Sequence, residues 1–242
     1  MNVLEHIHQR TVFPLEFLGI NLAITNWVIS LWLAVLVIFF FFYFASRSLK
    51  LVPGKIQNLA EIGIVFLRDE IASQIHYERE KWLPFLVALF SFILVNNLLG
   101  LIPHISSATT DINVTAALAI IVFIVVQVSG LIKQGPLGYL KSFLPSGIPW
   151  PIMIFLAPLE LFSQLAKPFS LALRLFANMF AGHAVMLVII SLIFIFKNYL
   201  ITPLPVLGNV SIMLFEIFVA FIQAFVFTYL SALYIATAQQ GH

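Results

Sequence analysis

The chain has 242 residues, of which 62% are hydrophobic and 9% charged, with a mean hydropathy of +1.06. Such values exclude a water-soluble globular domain and describe a polytopic membrane protein. The formal charge of +2 is too small to point to nucleic acid as a partner, and the absence of cysteine excludes disulfides and thiolate metal sites.

Residues 1–26 read as an outer N-terminal segment. Its start, Met1-Asn-Val-Leu-Glu5-His6, lacks the basic stretch of a cleavable signal or transit peptide, so the first spanning helix is expected to direct insertion. A hydrocarbon core about 30 Å thick needs roughly 20 apolar residues per helix. The first such helix is expected over 27–44, with Trp27 and Tyr43 placed as interfacial anchors. Arg47, Lys50, the Pro53-Gly54 break and Lys55 follow. Residues 56–80 mix Ile62, Val65, Phe66 and Ile75 with Glu61, Arg68, Asp69 and Glu70. That mixture predicts an amphipathic helix lying on the membrane or against a neighbour, closed by the charged run Glu78-Arg79-Glu80-Lys81.

A pair of spans is expected within 82–132, from Trp82 to Leu101 and from Val114 to Ile132, joined by a polar turn from His104 to Asn113. Lys133 to Pro149, punctuated by Gly135-Pro136, Pro145, Gly147 and Pro149, reads as a loop. The apolar region from Ile152 to Phe196 is about twice the length of a simple span. It admits a hairpin plus a span or one strongly tilted helix. The tilted helix is favoured, because apart from Pro168 no turn interrupts Leu159 to Phe196. A turn over Lys197 to Pro205 leads into a last helix from Val210 to Ala238. Five crossings put Arg47, Lys50, Lys55, Arg68, Arg79, Lys81, Lys133 and Lys141 on one side, with only Arg10 and Lys197 opposite. The N-terminus is then outside and the C-terminus inside. No internal repeat is evident, against an inverted-repeat transporter.

The informative residues lie in 133–242. Arg174 sits within Leu171-Ala-Leu-Arg174-Leu-Phe-Ala-Asn178-Met-Phe-Ala-Gly182-His183. A guanidinium near a bilayer centre costs from about 2.5 to more than 10 kcal/mol, and arginine does not lose its proton to escape. Helical spacing places Glu160, Lys167 and Arg174 on successive heptad positions of one stripe, with Ser163, Ser170 and Asn178 near it. His183 lies about 13 Å beyond Arg174, near the opposite face. On the last helix, Glu216 and Gln223 share a face about 10 Å apart. If that helix runs antiparallel and Glu216 meets His183, Gln223 falls near the depth of Arg174. The layout is two offset polar patches divided by a fixed cation.

These residues resemble subunit a of the F-type ATP synthase. The matching stretches are Pro158-Leu-Glu160-Leu-Phe-Ser163, the run from Lys167 to His183, and Glu216 to Leu230. Upstream, Trp82-Leu-Pro-Phe85, Asn96 to Pro103 and Thr110-Asp111-Ile-Asn113 are also similar to the family. The likeness runs from Pro53 to the end, while the first span matches in hydrophobicity alone. His after Gly182 with Glu on the last helix resembles mitochondrial and related bacterial members; many other bacterial members exchange the two residue types.

The resemblance implies an all-α polytopic fold with about five crossings, an amphipathic helix, and two long tilted helices facing the ring of c subunits. It implies that Arg174 is the stator charge facing the ring carboxylate, with Asn178 and Gln223 as polar neighbours. His183, Glu216 and Asp111 would belong to the outer proton path, and Glu160, Ser163 and Lys167 to the inner one. The implied partners are c-ring subunits, b-type subunits of the peripheral stalk, the remaining subunits of the complex and the lipid bilayer. The implied site is a bacterial or mitochondrial inner membrane. No cofactor or metal is expected. Without a Walker-type phosphate loop, nucleotide chemistry is expected in partner subunits.

Blander readings compete. Arg174 could pair with Glu160 or Glu216 to hold helices together, Lys167 could snorkel to the interface, and Asp111 could cap the third span. A secondary transporter would also use intramembrane Arg, Glu and His, and a purely structural membrane scaffold is a further rival. A haem carrier would need paired intramembrane histidines, whereas only His183 lies deep in a span.

Overall fold

The computed structural model describes residues 11–13, 16–17, 20–21, 24–47, 49–102, 107–142, 150–196 and 203–240. Apart from two short antiparallel pairings near the N-terminus, it is helical. β1 (Thr11–Phe13) pairs with β4 (Ile24–Thr25), and nested between them β2 (Glu16–Phe17) pairs with β3 (Ile20–Asn21). Arg10, Pro103, His104, Pro145, Gly147, Pro149 and Lys197, singled out in the sequence, lie outside the described residues.

α1 spans Asn26–Ser46, its start marked by extended Thr25, whose hydroxyl accepts from the Val28 amide at 3.5 Å. It is apolar all round and buries only Ser30, Ala34 and Ala45, small residues that let a neighbouring backbone approach closely. Much of its remaining surface, including Trp32, Phe39, Phe40 and Tyr43, is exposed, as suits lipid contact.

α2 (Lys55–Phe66) runs through a wide π-type turn over Leu67–Ile71 into a tight 3-10 turn over Ala72–Gln74. The amphipathic helix expected over 56–80 therefore stops short. Ile75 is extended and Glu78 adopts a left-handed conformation at φ 50, which no right-handed helix continues through. Arg79, Glu80 and Lys81 consequently open α3 (Arg79–Leu99) rather than close the preceding helix. The two elements remain tied, because Arg68 donates to Glu80 Oε1 through Nε at 3.0 Å and Nη2 at 2.8 Å.

After a single 3-10 turn over Ala108–Thr110 comes α4 (Ile112–Ser142). The loop expected from Lys133 is instead helical to Ser142, broken at Gly135, where φ is 71 and ψ is 165. Only glycine adopts that geometry readily. Past the break the chain doubles back: Tyr139 donates its hydroxyl to Gln127 Oε1 at 2.6 Å, a pair a straight helix would hold about 18 Å apart. Gly130 permits this return, since a side chain there would collide with the Tyr139 ring and meet Ala238 O at 3.0 Å.

The region after Trp150 forms one helix, α5 (Trp150–Phe196), continuous through Pro158 and Pro168, as favoured over a hairpin. Its 47 residues measure about 70 Å, more than twice the hydrocarbon thickness. α6 covers Pro203–Gln240, so Pro203 to Pro205, expected in a turn, already belong to it.

Among the described residues five helices, α1, α3, α4, α5 and α6, are long and apolar enough to cross a membrane. The fold is an all-α polytopic membrane protein. α6 sits at its centre, packed against α3, α4 and α5. The stripe it buries includes Ala220, Ala224, Thr228, Ser231, Ala232 and Ala236, small residues at helical spacing. Lipid tails are as apolar as leucine, so close backbone approach rather than hydrophobicity selects such a seam. Thr228 and Ser231 satisfy their hydroxyls on Ala224 O and Phe227 O, each at 2.8 Å.

Candidate functional site

α5 and α6 lie antiparallel and in one register along the polar residues. Near one end the Lys167 ammonium stands 5.6 Å from the centre of the Tyr234 ring. Further along α5, Asn178 Nδ2 donates to Gln223 Oε1 at 2.6 Å. Beyond that, Gly182 faces Glu216 so closely that a Cβ on it would strike the carboxylate. Every step up α5 is matched by a step back along α6.

Three levels follow from this register. At the first, Glu216 is 8% exposed, and neither carboxylate oxygen has a hydrogen-bond partner among the described residues. His183 follows Gly182, the residue that Glu216 faces. The imidazole lies between two carbonyls, with Nδ1 2.8 Å from Met179 O and Nε2 2.9 Å from Gly100 O. A neutral ring donates through only one nitrogen, so the two contacts compete for one proton. The Gly100 contact ties α5 to the end of α3. A Cβ on Gly100 would collide with Ser107 and lie 3.3 Å from His183 Cε1.

At the middle level stand Arg174 and the Asn178–Gln223 bridge. Arg174 is exposed, and no ion pair among the described residues involves it. Glu160 accepts from Gln164 Nε2 at 3.0 Å and Glu216 lies against Gly182, so neither candidate structural partner engages the guanidinium. At the third level, Lys167 is half-buried and lines a small cavity with Gln164, Pro168, Leu171, Val122, Phe123, Val126 and Tyr234, between α4, α5 and α6. Ser163 is exposed on α5, and Glu160 is half-buried one turn before Gln164.

A family model described as ATP synthase A chain matches residues 28–236. An ATP synthase subunit a of Chlorobium phaeobacteroides (strain BS1) is 42% identical over 242 residues, covering 95% of this chain and 71% of that protein. The subunit a of Rubrobacter xylanophilus is 40% identical, covering 97% and 91%. That of Magnetococcus marinus is 39% identical, covering 100% and 94%.

The chain belongs to the ATP synthase A chain family. As a subunit a of an F-type ATP synthase, it is one component of a larger complex, and its membrane helices serve ATP synthesis and proton transport. Within this subunit a fold, Asn178 and Gln223 are hydrogen-bonded, whereas His183 and Glu216 stand at one level of α5 and α6 with no hydrogen bond between them. Asp111 stands apart: its Oδ1 accepts from the Asn113 amide at 2.9 Å and from Asn113 Nδ2 at 3.0 Å. The carboxylate caps the start of α4.

Sequence reasoning gave no functional role to Ser107 and Thr109, or to Asn96 and Asn97. All four are at most 1% exposed. Ser107 donates to Asn96 O at 3.3 Å and pairs with the Thr109 hydroxyl at 2.7 Å, and Thr109 donates to Asn97 Oδ1 at 2.8 Å. Through Gly100 this cluster adjoins His183. Two asparagines ending an apolar run before a Ser/Thr-rich turn were the available signal.

Proposed function

We propose that this subunit a forms two offset proton paths, divided by Arg174, and couples proton flow to rotation of a ring of c subunits. The outer path is built around His183 and Glu216 with Asp111, extended by the Asn97–Thr109–Ser107 cluster. The inner path is built around Glu160, Ser163 and Lys167. The observation that carries this reading is an exposed Arg174 on α5, without an ion pair among the described residues, between the Glu216 level and the Lys167 level.

The physics of each part follows. A ring carboxylate crosses lipid protonated, because its bare charge is prohibitive there. Beside the guanidinium its ionised form is favoured, so it releases its proton to the inner path. Beyond Arg174 it takes a proton from the outer path. Arg174 also bars direct flow between the two paths, so a difference of about 2.3 kcal/mol per charge per 100 mV biases rotation one way. Buried polar atoms without protein partners, such as those of Glu216 and Asn97 Nδ2, are the kind that ordered water satisfies, and a proton path needs such water. The partners of this reading are the c-ring, b-type stalk subunits and the remaining subunits, in a bacterial or mitochondrial inner membrane.

The test is Arg174→Ala in membrane vesicles carrying the assembled complex. ATP-driven acidification should fall to background. Unchanged pumping by a complex that still contains the subunit would overturn the assignment.

A further inference from the structure

The stretch joining α1 to α2 has chemistry that the proton paths leave unused. α1 ends at Ser46 and α3 begins at Arg79, both on one side of the membrane, so what lies between them sits at the bilayer boundary. Leu49 is 75% exposed, Leu51 105% and Val52 84%. α2 extends this apolar surface with exposed Ile56, Leu59 and Ile62, while Gln57 and Ala60 face the protein.

Arg47, Lys50 and Lys55 are exposed among these aliphatic side chains. No ion pair among the described residues involves any of them. Glu61, the one acid between Arg47 and Phe66, accepts from Gln57 Nε2 at 2.7 Å. Gln57 also pins the backbone of Lys50, accepting from its amide at 3.3 Å and donating to its carbonyl at 3.2 Å. The linker is held in place.

We propose that Arg47, Leu49 to Val52, Lys55 and the exposed side of α2 form a docking surface for anionic phospholipid headgroups. Leu49, Leu51 and Val52 enter the acyl boundary, and the three cations, snorkelling on long stems, reach lipid phosphates. The argument is charge complementarity combined with apolar exposure. Unpaired cations need an anionic surface and fully exposed aliphatics an apolar one, and the headgroup boundary of an anionic leaflet supplies both at once. The proposal depends on the membrane-spanning fold and not on the proton paths.

A photoreactive phenylalanine analogue replacing Leu51 in the assembled complex tests it, in vesicles of phosphatidylcholine and phosphatidylglycerol mixed in equal parts. Lipid adducts should favour phosphatidylglycerol, by about five-fold for each contributing cation. Arg47→Ala, Lys50→Ala and Lys55→Ala together should return the adducts to the mixing ratio. If that triple variant does not assemble, raising salt to about 0.5 M with all three cations present should lower the preference. Adducts at the mixing ratio in low salt, or adducts to another protein chain in place of lipid, would overturn the proposal.

Discussion

Gly182 shows how one absent side chain builds a polar site in a membrane. Without a Cβ, the α5 backbone leaves room for the Glu216 carboxylate beside His183. Gly182→Ala should push the carboxylate off that position, a shift that the flexible Glu216 side chain makes at little cost in stability. ATP-driven pumping in vesicles should fall while the subunit stays in the complex, and Gly182→Val should be worse. Pumping at the unsubstituted rate in both variants would mean that the Gly182–Glu216 approach has no bearing on function. The type and spacing of Glu216 and His183 were legible in the sequence. The need for glycine opposite Glu216 was not, because that contact joins residues on different helices.

Among the helices, α4 is the one whose course the sequence concealed. Gly135-Pro136 has the composition of a loop, and the local signal is sound, since the helix does break there. What local reasoning lacks is the return of Tyr139 onto Gly130 and Gln127, together with Gln134 Nε2 donating to Ala238 O at 2.8 Å. Those contacts hold the residues after the break in helical form. Gly135→Ala would force a Cβ into a conformation costing about 1–3 kcal/mol, and the thermal midpoint of the solubilised complex should drop. No drop would show that the break does not depend on glycine. Glu78 offers the complementary lesson: a charged run looks like a helix end, but a single left-handed residue makes it a helix start.

Over the whole molecule, five crossings fix which ends share a side. The chain has no cysteine, so single cysteines report topology without background. Lys50→Cys and Gln240→Cys should be labelled by an impermeant thiol reagent from one side of the membrane, and Asn113→Cys from the other. Labelling of Lys50→Cys and Gln240→Cys from opposite sides would refute an odd number of crossings between the N-terminal segment and the C-terminus. The same five-helix arrangement brings the end of α3 to His183, which is how Asn97 and Thr109 come to adjoin the Glu216 level.

The sequence by itself determined the membrane class, the spans and the residue types on each stripe of α5 and α6. Lipid leaves the backbone no hydrogen-bond partner but itself, so length and apolarity are read directly as helices, and helical periodicity then places Arg174, Asn178, Glu216 and Gln223. Only the tertiary structure decided that Asn178 meets Gln223, that Glu216 lies on Gly182, and that Ser107 and Thr109 join the polar group near His183. Those meetings follow from the register in which helices pack, and register is set by small residues and close backbone approach between segments far apart in the chain.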